Sequence, residues 1–392
     1  MSGGVKVTVL QKYFASEIIR SVAFVLAACL ALFAFFDLMG ELKSIGHGGY
    51  QVQHAFLFVL MGLPGDIYDL MPIAVLIGTI WALAQFASRS EFTIMRVSSM
   101  STWMAFRMLI KIGLLFVVMT FVFGEFVSPA MSEMANKMKL QTQGSSVSKQ
   151  FRSGLWAKDV MKAAGLTGDA VGTRFFNVHD VTPDGELHSL KLYEFDSAFR
   201  MTALITADSA KYLGANTWHL MDVSETRFPD IMRDVEATSA STTADAVGVI
   251  VTRQLAATDL VSEVTPEILS IATADPNRMS AIDLSAYTKH LAENKQNTDR
   301  YEIAFWKKIF YPFAVLVMMA LALPFAYMHV RAGGVSLKIF VGIMVGVSFY
   351  LINSLFSHLG LLNTWPALMT ALLPSMLFLL LAISALMWVE RH

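Results

Sequence analysis

Residues 71–87 read MPIAVLIGTIWALAQFA, and residues 103–124 read WMAFRMLIKIGLLFVVMTFVFG. Each approaches the roughly 20 apolar residues that a helix needs to cross the hydrocarbon of a bilayer. The stretch between them, SRSEFTIMRVSSMS at 88–101, is half polar and too short to fold alone. Two membrane spans joined by a small amphipathic element is the reading that decides the fold.

Working outward, six stretches of spanning length emerge, at about 21–39, 67–87, 103–126, 305–327, 337–356 and 366–389. The whole chain agrees: of 392 residues, 55% are hydrophobic and 16% charged, where soluble chains carry about a quarter charged residues. The formal net charge is −1 and no basic stripe is interleaved with aromatics, which argues against a nucleic-acid partner. A lone Cys29 excludes an intrachain disulfide. The apolar piece VQHAFLFVLMGL at 52–63 is too short to cross by itself. Pro64-Gly65 follows it, so it is predicted as an interfacial or re-entrant helix leading into the second span. The first span follows Lys6, Lys12 and Arg20 as a signal-peptide core would, but no convincing small-x-small cleavage site follows before Asp37. Retention as an uncleaved helix is expected.

Basic residues orient the chain. Lys6, Lys12 and Arg20 lie at the N-terminus, Arg89 and Arg96 in the second connection with Arg107 and Lys111 just inside span three, Arg331 and Lys338 flank the fourth connection, and Arg391 is near the C-terminus. The first connection has only Lys43, balanced by Glu41, and SHLGLLNTWP at 357–366 has no Lys or Arg. Both termini are therefore expected in the cytoplasm. Between spans three and four lie roughly 170 residues of ordinary soluble composition, enough for one domain, and the topology puts them outside the cytoplasm. TRFFNVHDV and LHSLKLYEF alternate about the turn signal TPDGE, MTALITADSAKYL and TWHLMDVSETRF flank GAN, and VGVIVTRQL follows. An antiparallel sandwich or open barrel is predicted, then a helix over SAIDLSAYTKHLAENK. The fold class is thus an α-helical polytopic membrane protein, three spans plus three, with an inserted all-β domain. The predicted divisions are 1–127, 128–301 and 302–392.

Enzyme chemistry has no residues to stand on. No G-x-x-x-x-G-K-[ST] phosphate loop and no H-E-x-x-H occur. Ser146 and Lys149 match S-x-x-K, a short pattern that arises by chance, within a Gly/Ser/Gln loop. No catalytic, metal or cofactor-binding residue is assigned. In the connecting stretch, Ser88 and Glu91 form a capping box, and Phe92, Met95 and Ser99 share one helix face. This is either an interfacial helix tidying a loop or a helix that docks on a cytoplasmic partner. Gly342 and Gly346 are spaced for close helix approach. Lys43, Lys137, Lys139, Lys307 and Lys308 gather near the external membrane surface, either as snorkelling side chains or as a basic rim for phosphate groups. Asp66 and Asp69 flank the Pro64-Gly65 break, and Asp37 and Glu125 lie at external span ends. The 24 methionines and 28 phenylalanines would give the spans deformable apolar walls.

The order MPIAVLIG, RSEFTIM, GEFVSP, GLWAKD and RYEIAFWKKIFYPFAVLVMMALAL resembles the LptF/LptG family of lipopolysaccharide export permeases. GLWAKD and RYEIAFWKKIFYP place it nearer the LptG branch. The resemblance covers nearly the whole chain and implies a periplasmic β-jellyroll-like domain. It also implies residence in the inner membrane of a Gram-negative bacterium, pairing with the paralogous permease LptF, and a dimer of the ATPase LptB. Lipopolysaccharide would be drawn from the membrane and passed to LptC. Ser90, Glu91, Phe92, Met95 and Arg96 would then match the family's coupling helix, which docks on the ATPase. Lys43 and Lys139 match basic positions of the family, while Asp37 and Gly65 stand where lysines are expected. The alternatives are a permease of another exporter, for a lipoprotein or an amphipathic small molecule, and a non-transporting anchor for the β domain.

Overall fold

The computed structural model describes residues 4–46, 49–88, 102–143, 154–182, 185–229, 250–273, 275–327, 335–363 and 365–391. Six of its helical runs are long and apolar enough to cross a membrane. The first half holds α1 (Gly4–Glu41), α2 (Val52–Ser88) and α3 (Thr102–Val122), the last continuing through a π-helical turn (Phe123–Val127) into α4 (Ser128–Gln143). Strands β1 (Leu155–Ala164), β2 (Thr167–Val181), β3 (Leu187–Asp196), β4 (Met201–Gly214), β5 (Thr217–Arg227) and β6 (Val251–Val261) follow. Two linker helices, α5 (Pro266–Thr273) and α6 (Ala281–Glu293), lead back to the membrane. Span four is α7 (Asp299–Phe310) running through a 3-10 turn into α8 (Ala314–Ala322) and the short α9 (Pro324–Tyr327), and α10 (Val335–Asn363) and α11 (Ala367–Arg391) complete the second half. The molecule is a multi-pass helical membrane protein with a β domain inserted between its halves.

The expected break at Pro64-Gly65 is absent. Helix α2 runs unbroken for 37 residues with Pro64 and Pro72 inside it. In a bilayer an interrupted helix exposes backbone groups that nothing can satisfy, whereas a single lost amide per proline is tolerated. Helix α2 is also the hub of the membrane block. Val22 of α1, Met71 and Ile80 of α2, Met318 of α8 and Phe349 of α10 are all fully buried in one apolar core. A Cβ on Gly78 would lie 2.6 Å from the Val22 Cα, so α1 and α2 touch backbone to backbone.

The six strands form one antiparallel sheet in simple sequence order. The β-jellyroll-like expectation thus resolves, among the described strands, to an up-and-down path. Gly214 pairs with Thr217, leaving Ala215 and Asn216 as a two-residue hairpin loop with φ of 47° and 59°. That is the primed turn whose twist suits antiparallel strands. One face of the sheet is apolar: Phe176, Val178, Leu190, Leu192, Trp218 and Leu220 are buried there, joined by Leu269 of α5. The Trp218 indole N–H donates to the Val264 carbonyl at 2.7 Å, fixing the start of the linker over that face.

A crease crosses the sheet. From β2 to β6 the pairing of each strand with the next omits one residue on each side at the same level, namely His179, Ser189, Asp208, Asp222 and Ala256, and resumes in register beyond it. Ser189 and Asp222 take left-handed φ of 53° and 51°, and all five are exposed.

Candidate functional site

Two polar clusters stand where the β domain meets the membrane block. The first grips the linker at 275–281. Arg278 donates to the Asp66 carboxylate at 2.8 Å, with Asp69 at 3.9 Å. Gly65 makes room for it, because a Cβ there would lie 1.3 Å from Arg278 Nη1. From span four, Lys308 Nζ donates to the Asn277 carbonyl at 3.3 Å and lies 4.9 Å from the centre of the Tyr68 ring. From span three, both carboxylate oxygens of Glu125 accept from the Ala281 N–H, at 3.0 and 2.9 Å. The π-helical turn carries Glu125 and holds it buried. Tyr311 closes the group from span four by donating to the Asp69 carbonyl at 2.6 Å. Three spans thus converge on one seven-residue stretch of linker, DPNRMSA at 275–281.

The second cluster lies at the edges of the sheet. Strands β1 and β6 are opposite edges and pair with no common neighbour, yet side chains of β1 and β2 reach the end of β6 and the two residues that follow it. Ser262 donates to Asp159 Oδ2 at 2.7 Å, Lys162 pairs with Glu263, and Arg174 reaches the Val261 carbonyl at 3.3 Å. Arg174 also bridges Asp159 and Glu194, at 3.6 and 2.7 Å. The two edges of the sheet are therefore joined at the end of β6 by side-chain contacts, with no ladder bonds between them. Burial pushes the Asp159 carboxyl above its ordinary value, against the pull of Ser262 and Arg174. At the top of α6, burial draws the His290 imidazole down, opposed by Glu263, Asp159 and Glu293.

Most of the lysines expected to form a basic rim have partners within the chain. Lys139 pairs with Glu41 at 2.8 Å and lies 4.4 Å from the centre of the Phe58 ring, while Tyr50 donates to the other Glu41 oxygen at 3.2 Å. Lys137 pairs with Glu133 at 2.6 Å on an exposed helix face. Lys308 is buried in the linker grip, Lys307 is half-buried and Lys43 is exposed. The connecting residues Ser90, Glu91, Phe92, Met95 and Arg96 lie outside the described residues, as do Ser146 and Lys149. Ser88 is the last residue of α2, its hydroxyl donating to the Gln85 carbonyl at 2.8 Å. Gly342 and Gly346 of α10 face α2: Cβ atoms there would lie 2.7 Å from Ile80 and 3.0 Å from Ile73.

This architecture, an apolar-faced β domain held between two three-span halves, coincides with a family match. The profile of the lipopolysaccharide export system permeases LptF/LptG matches residues 12–388. The chain belongs to that family. Among LptF/LptG relatives, the lipopolysaccharide export system permease protein LptG of Escherichia coli (strain K12) is 28% identical over 382 residues, covering 97% of this chain and 98% of the relative. The protein of the same name from Haemophilus influenzae is 30% identical over 376 residues, covering 96% and 97%. A permease family makes the chain a transport component rather than an enzyme, and lipopolysaccharide export is its family's process. The linker grip joins three spans to the segment that leads from the β domain back to the membrane. Arg278, in the polar run DPNRMS, was not among the residues singled out from sequence, since its partner Asp66 lies 212 positions away.

Proposed function

We propose that this chain is an inner-membrane permease subunit of a lipopolysaccharide exporter of the LptG type. It pairs with the paralogous permease LptF and borrows force from a cytoplasmic LptB ATPase dimer. Both termini are cytoplasmic and the β domain is periplasmic, with the chain divided at 1–127, 128–301 and 302–392. Lipopolysaccharide is drawn from the bilayer between the two permeases and passed over the apolar face of the β domain to LptC. The reading is carried by the family match over residues 12–388 laid upon six spans and an inserted sheet with one apolar face. Force enters through Ser90, Glu91, Phe92, Met95 and Arg96, the coupling helix.

At the polar end of the lipid, Lys43 is the most available cation, being exposed. Lys137, Lys139, Lys307 and Lys308 receive phosphate only by exchanging the internal surroundings described above. A charge-assisted contact to phosphate contributes on the order of 1.5–3 kcal/mol.

The test is reconstitution. Vesicles holding this chain, its partner permease and the ATPase dimer are expected to release lipopolysaccharide to an acceptor in an ATP-dependent manner. Glu91→Lys with Phe92→Asp should detach the ATPase and abolish release. Release by this chain alone, or retention of the ATPase at normal turnover after both changes, would overturn the reading.

A further inference from the structure

Helix α6 is held at each end by a charge of the sign that suits it. At its N-terminus the Glu125 carboxylate takes the Ala281 N–H through both oxygens, at 3.0 and 2.9 Å. At its C-terminus Lys158 of β1 donates to the carbonyl of Asn294 at 2.8 Å. An anion at the start and a cation at the end both complement the helix dipole. Between these points Leu284, Tyr287 and Leu291 are buried and pack with Ala304 of α7. Tyr287 and Tyr301 meet edge to face, with ring centroids 4.7 Å apart. The 13 residues of α6 make a rod of about 20 Å.

The rod connects two distinctive places. Its foot rests on a π-helical turn in the third span, a form that appears mostly as an isolated irregularity at functional positions. Its head rests on Lys158, one residue from Asp159, whose carboxylate holds Ser262 at the β1–β6 seam. No ladder bonds join β1 to β6. The base of the rod is held further by Arg278 on Asp66 and by Lys308 on the Asn277 carbonyl, so spans two and four share the foot with the third span.

We propose that α6 is a strut through which movement of the third span is delivered to β1, loosening the Asp159–Ser262 and Lys162–Glu263 contacts and opening the β1–β6 seam onto the apolar face of the sheet. Glu125 and Lys158 are positioning residues in this scheme and touch no cargo. The proposal rests on the exporter reading only for what passes the seam; the mechanical link stands or falls without it.

Hydrogen-exchange mass spectrometry on the full chain in nanodiscs tests the link. Glu125→Gln is expected to speed amide exchange in 155–164 and 259–264 roughly tenfold, the scale of one lost charge-assisted hydrogen bond, while β3 and β4 keep the parent rate. Ala281→Pro should do the same, because it deletes the donor N–H at a first-turn position where proline suits a helix. Lys158→Met should loosen the same two segments, and Glu125→Gln with Lys158→Met should add little beyond the larger single effect. Faster exchange confined to the first turn of α6, with the seam unmoved in both foot variants, would overturn the strut. A rise spread evenly over β3 and β4 would also count against it, as general loosening of the domain. No cargo enters this measurement, so failed lipid release in vesicles would sink the exporter reading and leave the strut standing.

Discussion

Helices α1 and α2 are nearly equal in length, 38 and 37 residues, and the greasier one is the less buried. The spanning window of α1 has mean hydropathy 2.5 and is 11% buried, while that of α2 has 1.9 and is 78% buried. In water the order would be reversed. In a bilayer the lipid is as apolar as any leucine, so hydrophobicity cannot sort inside from outside, and close packing of small residues does so instead. Helix α2 carries Gly65 and Gly78 at its two tightest approaches, to Arg278 and to the Val22 backbone. Helix α1 offers one thin inward line, Phe14, Ile18, Val22 and Val25, and turns Phe24, Phe33, Phe35, Phe36 and Met39 outward. A hub and a wall are thus told apart by residue size, not by greasiness.

The sharpest way to break this contrast is Gly78→Leu. The side chain must enter space held by the Val22 backbone, which cannot rotate away, and overpacking of this kind costs up to about 3 kcal/mol. A thermal-shift series in detergent should show a clear fall in melting temperature. Gly342→Ala should cost less, since the atom it meets is the movable Cδ1 of Ile80. Equal effects would mean that backbone proximity does not make α2 the hub.

A smaller loss is expected from Arg278→Met, which leaves the buried Asp66 carboxylate facing Gly65 without its cation. Stranding a buried charge costs up to 3–5 kcal/mol, reduced here to about 2 because Arg278 is partly open to solvent. Adding Asp66→Asn should restore most of it, and a double-mutant cycle giving no coupling would remove the ion pair from the account.

The smallest effect on stability belongs to the wall. Phe33→Ser with Phe36→Ser should shift the isolated chain by under about 0.5 kcal/mol. Yet it should cut recovery of the partner permease in a native-detergent pull-down. Undiminished recovery would make that face of α1 a lipid contact.

Much of this was legible in the chain's own letters. TRFFNVHDV and LHSLKLYEF became β2 and β3 about TPDGE, and GAN became the Ala215-Asn216 hairpin, because period-two alternation and turn chemistry are local properties. What escaped was non-local. LWAKDVMKAA was not read as strand β1, since Lys158, Asp159 and Lys162 interrupt its apolar alternation; those charges serve the seam and the strut. Lys139 looked like part of a phosphate rim because nothing nearby in sequence announces Glu41, 98 positions away. Pro64-Gly65 reads as a break from its own letters, but a proline within a membrane helix removes a single amide and α2 runs on through it.

The row of passed-over residues from His179 to Ala256 has its own consequence. A pleated sheet resists bending because bending stretches its ladders, but here the ladders are already interrupted at one shared level. Rotating one part of the sheet against the other asks only for small dihedral changes at five solvent-facing residues. A sheet built this way can change its curvature without unravelling a single strand.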